Sequence, residues 1–95
     1  MSFYVYIVAS QRNGTLYIGS TDGLTKRTWQ HIQGERPGFT AKYGVKMLVW
    51  WESFGTRGDA FKRERQMKKW NRAWKIELIE RFNPGWRDLS ADLLT

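Results

Sequence analysis

Apolar, aromatic and β-branched positions open the chain in a pattern that predicts two β-strands. Residues Phe3–Ala9 are almost all of the side-chain types that favour strands. The pair Asn13-Gly14 follows, and both residues tolerate the positive φ that a hairpin turn requires. Residues 15–20 then form the expected returning strand. We therefore predict that the fold begins with an antiparallel hairpin.

A helical pattern follows the hairpin. Thr21 and Asp22 are residue types that cap helix N-termini, and they predict a helix over Leu24–Gln33. Gly34 is a residue type that ends helices. The first helix is therefore expected to begin directly after the second strand.

A third apolar segment, at residues 46–54, predicts another strand. The glycine-bounded segment 38–44 before it is long enough only for a turn or a brief helix. Thr56 followed by Asp59 resembles a capping box. It predicts a second helix, which we expect to end near residue 69 or 70.

The last helical pattern covers residues 71–82 and carries large apolar side chains at every fourth position beside Ile79. An Asn-Pro-Gly sequence at 83–85 stops this helix, and a tail is expected to fold back on the body. The order ββαβαα predicts a small α+β domain over residues 1–95, with its core at about 3–89. Its three-stranded sheet is at least partly antiparallel and flanked by helices. The apolar row consists of Trp74, Leu78 and Phe82.

Composition narrows the class of protein. The chain has 95 residues, and 16 Lys plus Arg against 9 Asp plus Glu give a net charge of +7. Polyanions, nucleic acids above all, are the natural ligands of such a field. The absence of cysteine and the single histidine exclude disulfides, cysteine-rich zinc sites and multi-histidine metal sites. No apolar run reaches the roughly 18–20 residues that span a bilayer, and no secretory signal is visible, so we expect a cytoplasmic protein without membrane contact.

Half of the basic residues fall between positions 57 and 75, where Phe61, Trp70 and Trp74 are interleaved with them. Basic residues mixed with aromatics are typical of a surface that contacts a nucleic-acid backbone. Long Lys and Arg stems also cover apolar helix faces in proteins that bind no nucleic acid. The residues predicted to contact the backbone are Lys62, Arg63, Arg65, Lys68, Lys69, Arg72 and Lys75.

Two tyrosines of the predicted hairpin share one face of the sheet. Strand alternation places Tyr6 and Tyr17 together in either register that keeps the apolar sides paired. In one register Gly19 lies directly across from Tyr6, which would open space for a substrate or another backbone. Tyrosine also simply favours strands, and glycine often ends them, so both interpretations stay open.

Arg27 and the single histidine, His31, lie four residues apart on the predicted first helix and therefore project from one face. A guanidinium can hold two phosphate oxygens, and an imidazole can transfer protons near neutral pH. The same pair is also common on solvated helix faces.

Glu64 is predicted to lie in the core-facing stripe of the second helix. Its neighbours at helical spacing are Ala60, Phe61 and Met67. Burial of an ionised carboxylate is costly without a partner. That partner is either an arginine, in a structural ion pair, or a divalent cation with oxygen ligands.

These residues together resemble the GIY-YIG endonuclease domain in their order and spacing. The similarity extends from about Tyr4 to Leu89. In the sequence that follows the first motifs, the chain is most similar to the small stand-alone bacterial members of that family. Val5 stands where the family's first motif begins with glycine. The segments that carry the resemblance are Tyr4-Val5-Tyr6-Ile7, Leu16-Tyr17-Ile18-Gly19-Ser20-Thr21, Arg27, His31, Glu64, Gly38-Phe39-Thr40, residues 60–70, Lys75-Ile76 and Asn83-Pro84-Gly85-Trp86-Arg87-Asp88-Leu89.

The resemblance implies a role for each motif residue. Tyr6 would act as the general base on the attacking water, with Tyr17 beside it and His31 as a proton relay. Arg27 would hold the scissile phosphate, and Glu64 would bind one Mg²⁺ or Mn²⁺. Asn83 is implied as a supporting polar residue near the phosphate.

The resemblance thus implies a metal-dependent endonuclease that hydrolyses DNA phosphodiester bonds. Any selectivity would come from DNA structure, such as a branch or flap, or from a partner protein that supplies targeting, rather than from base sequence. The alternative is a non-catalytic nucleic-acid-binding module that retains the GIY-YIG fold. Val5 favours the alternative, whereas the presence of all five catalytic residue types favours the enzyme.

Overall fold

A three-stranded antiparallel sheet organises the protein, as seen in a computed structural model that describes residues 2–33 and 44–93. Its strands are β1 (Phe3–Ala9), β2 (Leu16–Thr21) and β3 (Met47–Phe54), in the spatial order β2-β1-β3. Both neighbours of the central strand run antiparallel to it. The predicted hairpin and third strand are therefore confirmed, and β2 is an edge strand.

The hairpin turns through a loop over residues 11–14. Asn13 has a left-handed φ of 58°, a conformation that asparagine tolerates better than most residues. The Gly14 amide donates to the Gln11 carbonyl at 2.9 Å, and the Ser10 amide donates to the Thr15 carbonyl at 3.0 Å. Asn13-Gly14 thus belongs to the turn as predicted, although the loop is longer than two residues.

Four helices accompany the sheet in the described ranges: α1 (Leu24–Gln33), α2 (Arg57–Lys68), α3 (Arg72–Phe82) and α4 (Ser90–Leu93). The predicted order ββαβαα holds, with the single turn of α4 added at its end. Gly34 and residues 38–43, for which a helix end and a turn were predicted, lie outside the described residues. No helix of the described ranges is long and apolar enough to cross a membrane.

Two side-chain caps set the starts of α2 and α3. The Thr56 hydroxyl accepts from the Asp59 amide at 3.1 Å, which confirms Thr56 as the N-cap. The Asn71 side chain accepts from the Trp74 amide at 2.9 Å. Each contact satisfies one amide that the first helical turn leaves unpaired.

The sheet separates two apolar clusters because alternate strand residues point to opposite faces. On one face, Val5 and Ile7 pack against α2 and α3. On the other face, Tyr6 and Val8 pack against α1 and the C-terminal segment. The first cluster includes Val5, Ile7, Ile18, Val49, Ala60, Met67, Ile79 and Trp86, and the second includes Tyr6, Val8, Leu24, Val45, Leu48 and Leu89.

The fourfold apolar row of α3 is not the buried face of that helix. Trp74 is 57% exposed and Phe82 is 48% exposed, whereas Ile79 is fully buried. Ile76 packs against the same cluster as Ile79, three positions away, so the buried face runs through these two isoleucines. The row therefore predicted the helix correctly, and Leu78 is its member that packs against the core.

The predicted tail does fold back on the body. Trp86 and Leu89 are buried, and the Leu89 amide donates to the Leu48 carbonyl at 2.7 Å. This contact pins the C-terminal segment against β3.

Candidate active site

Gly19 allows the ring of Tyr6 to lie across strand β2. The observed register pairs Tyr6 with Gly19, which confirms one of the two predicted registers. A Cβ atom at position 19 would lie 2.5 Å from the Tyr6 hydroxyl oxygen and 2.7 Å from Cζ. The space predicted for a substrate or another backbone is thus filled by the phenol of Tyr6 itself.

A hydrogen bond joins this phenol to the single histidine. The Tyr6 hydroxyl lies 3.1 Å from Nε2 of His31 on α1, and both residues are buried. The ring of Tyr17 lies on the other side, 5.9 Å from the imidazole centre. In the tautomer that carries its proton on Nδ1, the imidazole accepts the phenolic proton. The geometry therefore suits proton transfer between Tyr6 and His31.

Arg27 lies one helical turn before His31 on α1 and is half-buried. Within residues 2–33 and 44–93, its guanidinium makes no hydrogen bond or ion pair. Positions four apart share one helix face. A positive charge is thus available on the side of α1 that carries the histidine.

Glu64 occupies the core-facing stripe of α2, as predicted. It is 8% exposed, and Ala60 and Met67 beside it are buried. The Ser20 hydroxyl donates to Oε1 at 2.5 Å, and Nζ of Lys68 lies 2.7 Å from Oε2. The charge partner is therefore a lysine one turn along the same helix, where the sequence had left open an arginine or a cation. Phe61, expected in the same stripe, is 53% exposed.

Edge strand β2 brings the two groups of residues together. Tyr17 and Gly19 point toward α1, whereas Ser20 points toward α2, because alternate strand residues face opposite sides. Nζ of Lys68 lies 5.9 Å from the centre of the Tyr17 ring. Since β2 is the outer strand of the sheet formed by the described residues, the two groups meet around its edge.

The oxygen donors at Glu64 suit a Mg²⁺-like ion whose remaining ligands come from a substrate and water. No group of three or more His, Cys, Asp or Glu residues in the described ranges could hold a metal. The carboxylate of Glu64 faces β2, with the Ser20 hydroxyl bonded to it. Mg²⁺ is commonly bound by one or two carboxylates together with substrate phosphates and water. The donor set fits that kind of binding.

Asn83 makes contacts away from these residues. Its amide donates to the carbonyls of Val49 at 3.3 Å and Arg87 at 2.8 Å, and its side-chain oxygen accepts from the Arg87 amide at 3.0 Å. None of these bonds, among the described residues, involves a catalytic candidate. They tie the segment after α3 to β3, and a role for Asn83 near the phosphate stays a prediction.

The basic residues of α2 and α3 lie on several surfaces rather than one. Lys62, Arg65 and Lys69 line one groove with Phe61, whereas Lys68 and Lys75 line a pocket beside β2. Two further residues have contacts of their own. Arg63 lies 3.6 Å from Glu52 and stacks over Trp70, and Nη2 of Arg72 donates to the carbonyls of Asn13 and Gly14.

Sequence reasoning did not identify Ser20 as a partner of Glu64 or Lys68 as its ion pair. Both had a local signal. Ser20 follows Ile18 by two strand positions and so faces the α2 side. Lys68 follows Glu64 by four residues, the spacing at which helical ion pairs form.

A comparison with known families decides the relationship. The sequence model of the GIY-YIG catalytic domain matches residues 2–77. The chain belongs to the GIY-YIG family. GIY-YIG domains are nuclease domains that generally use divalent metal ions, so this chain is a member of a nuclease family.

Small bacterial proteins are similar over most of the chain. A UPF0213 protein of Staphylococcus saprophyticus is 36% identical over 76 residues, which cover 80% of this chain and 92% of the relative. A UPF0213 protein of Staphylococcus aureus is 33% identical over 79 residues, covering 83% and 95%. The solution NMR structure of a UPF0213 protein from Bacillus halodurans matches with a TM-score of 0.57 and 26% identity, covering 93% of each chain. The expected likeness to small stand-alone members is confirmed.

Val5, at the position of the motif's first glycine, lies on the opposite face of the sheet from Tyr6. Its side chain is fully buried in the cluster under α2 and α3. The valine therefore fills core volume and does not cover the phenol.

Proposed function

We propose that this protein is a metal-dependent endonuclease that hydrolyses DNA phosphodiester bonds and selects its substrates by structure rather than sequence. The observation that carries the proposal is the pairing of Tyr6 with His31 at 3.1 Å. It lies across a single edge strand from the buried carboxylate of Glu64. A proton acceptor and an oxygen ligand for a cation are the two groups that metal-assisted phosphodiester hydrolysis requires.

The tyrosine side of the site would handle the proton of the attacking water. Tyr6 takes that proton, and His31 receives the proton of Tyr6 through their hydrogen bond. Tyr17 packs on the same imidazole and orients it. Burial of Tyr6 and His31 keeps bulk water from competing for the proton.

The cationic groups would hold the phosphate. Arg27 binds the scissile phosphate with a bidentate fork and opposes the charge that grows in the transition state. The basic residues of α2 and α3, apart from Arg72, whose guanidinium is bonded to the hairpin, contact the flanking backbone, which contributes affinity without selecting a base sequence. Asn83 would support the phosphate from the far end of α3.

The glutamate side of the site would hold the cation. Glu64 binds Mg²⁺ or Mn²⁺, and Ser20 keeps its carboxylate in place through the hydrogen bond to Oε1. When bound, the ion supplies Lewis-acid polarisation of a phosphate oxygen and stabilises the leaving 3′ oxygen.

Selectivity would arise from the shape of the substrate. The basic groove and the pocket beside β2 lie on different surfaces, an arrangement that suits a flapped or branched DNA better than one straight duplex. A partner protein can supply further targeting.

A second candidate is a non-catalytic nucleic-acid-binding module. The observation that favours it is that both carboxylate oxygens of Glu64 already have protein partners, Ser20 and Lys68. In that case Glu64 forms a structural ion pair with Lys68, and the basic surfaces alone account for nucleic-acid binding.

Cleavage of labelled duplex, flapped, branched and single-stranded DNA, with Mg²⁺, Mn²⁺ or chelator, tests the proposal. Glu64→Gln keeps the size of the side chain and is expected to lower the rate by about 10²–10³-fold. Asp59→Asn, the same change at an exposed carboxylate of α2, is the matched control and should cleave like wild type. Salt-dependent binding without cleavage of any substrate would instead establish the binding module.

A further inference from the structure

A pocket of about 350 Å³ lies between the open edge of β2 and the corner where α2 meets α3. Leu16 and Ile18 form its apolar floor, and Tyr17, Lys68 and Lys75 provide its polar groups. Two lysines at the edge of a largely apolar pocket suit an anion such as a phosphate, which can accept hydrogen bonds from both ammonium groups.

Lys68 stands between this pocket and the carboxylate of Glu64. Its ammonium contacts Oε2 at 2.7 Å, yet its side chain is 49% exposed while that of Glu64 is 11% exposed. Only the lysine end of this pair is exposed, so the ammonium can turn to another anion. The buried carboxylate then requires a replacement cation.

Glu64 does not depend on Lys68 for its position. The Ser20 hydroxyl holds the other carboxylate oxygen, and the neighbouring Ala60 and Met67 are packed in the core. The carboxylate keeps its orientation if the ammonium turns away. Without the ammonium beside it, the carboxylate has a more negative local potential, which favours the binding of a cation.

We propose that the pocket binds a phosphate of the DNA backbone through Lys68 and Lys75, and that Lys68 leaves Glu64 when it does so. The carboxylate is thereby released for a divalent cation, and DNA and metal bind cooperatively. The inference rests on the proposed metal site at Glu64. Before DNA binds, Lys68 acts as a built-in competitor of the metal ion.

The coupling must be reciprocal. If DNA raises the affinity for the cation by some factor, the cation raises the affinity for DNA by the same factor. Couplings of this kind typically amount to about 5–150-fold. Here we expect each ligand to raise the affinity for the other about tenfold, because one partly exposed ion pair is exchanged.

Mn²⁺ binding, measured by the electron paramagnetic resonance of the free ion, tests the coupling without any measurement of cleavage. Each variant is titrated with and without a short flapped DNA, in a Tyr6→Phe background that leaves the DNA intact. A parallel titration with Glu64→Gln defines the Mn²⁺ held by DNA or by other sites. Thermal melts show that every variant is folded.

The proposal predicts a different pattern for each lysine. Without DNA, Lys68→Gln binds Mn²⁺ about tenfold more tightly than the parent does, and adding DNA raises its Mn²⁺ affinity little further. Lys46→Gln removes the same charge from an exposed lysine just before β3 and leaves Mn²⁺ affinity and its coupling to DNA at the parental values. Lys75→Gln leaves Mn²⁺ affinity unchanged without DNA and weakens the coupling.

Two results would overturn different statements. Equal Mn²⁺ affinity of Lys68→Gln and the parent, or no effect of DNA on the parent, would overturn the exchange of Lys68. Equal Mn²⁺ binding by Glu64→Gln and the parent would overturn the metal site itself, and with it the proposed function.

Discussion

On the α1 side of strand β2, the rings of Tyr6, Tyr17 and His31 pack around one hydrogen bond. On the α2 side, the carboxylate of Glu64 contacts the Ser20 hydroxyl and the Lys68 ammonium. On the α1 side, the buried residues Tyr6 and His31 share a hydrogen bond. On the α2 side, Glu64 and Lys68 form a charged pair that reaches solvent. Packing holds the first group, and charge holds the second. The two halves of the candidate site should therefore respond to different perturbations, one to volume and the other to charge.

The largest effect is expected from Tyr6→Phe, which removes only the hydroxyl group from the ring side. Cleavage should fall by about 10²–10⁴-fold, the usual contribution of a general base. The ring keeps its packing, but buried His31 loses that hydrogen-bond partner, so the free energy of unfolding should fall by about 1–3 kcal/mol. Tyr4→Phe is the matched control, because Tyr4 lies on the same face of β1 and packs edge-on to Trp51. A wild-type rate in Tyr6→Phe would exclude the phenol from the chemistry.

Gly19→Ala tests the sensitivity of the same side to volume. The added Cβ would meet the Tyr6 hydroxyl at 2.5 Å, so the ring must move, and we expect a loss of about 1–3 kcal/mol in the free energy of unfolding. Gly55→Ala provides the comparison, since an added Cβ there meets no atom within 4 Å. Denaturant unfolding measures both. Equal stability of the two variants would mean that the ring is not confined by β2.

Ser20→Ala tests the charged side without changing its charge. Loss of the hydrogen bond to Glu64 should lower metal-dependent cleavage by about 10–100-fold, as for other residues that orient a metal ligand. Raising the Mn²⁺ concentration should recover part of the rate. Ser20→Thr keeps the hydroxyl and should retain most activity. If alanine and threonine behave alike, the hydroxyl does not orient the carboxylate.

The smallest effect is expected from Arg72→Gln, outside both halves. Its guanidinium already bonds to the hairpin carbonyls of Asn13 and Gly14. We therefore expect a loss below about 1 kcal/mol in stability and no change in the salt dependence of DNA binding. Lys69→Gln, by contrast, should reduce the slope of log affinity against log salt concentration by about the amount that one phosphate contact contributes. A lower slope in Arg72→Gln would place its guanidinium on DNA.

Strand alternation and helical spacing were sufficient to predict several features of the candidate site. Both are local properties of the chain. They allowed two registers, one of which places Tyr6 opposite Gly19, and they placed Glu64 on the inner face of α2, as observed. The capping residue Thr56 likewise marked the start of α2 through a contact only three residues long.

Contacts between distant elements were harder to predict. Ser20 and Glu64 are 44 positions apart, and their bond depends on how α2 lies across β2, which no local pattern specifies. The buried face of α3 likewise depends on contacts with other elements. The row of Trp74, Leu78 and Phe82 predicts a helix, but of these three only Leu78 packs against the core, beside buried Ile79.

The rates of DNA cleavage by wild type, Tyr6→Phe, Glu64→Gln and the double variant test most directly whether the two sides of β2 form one active site. Residues that act as a unit have strongly non-additive effects. We predict that each single variant binds DNA but loses nearly all cleavage, and that the double variant loses little more. Cleavage at the wild-type rate by either single variant, or losses that multiply in the double variant, would contradict a single site that spans the strand.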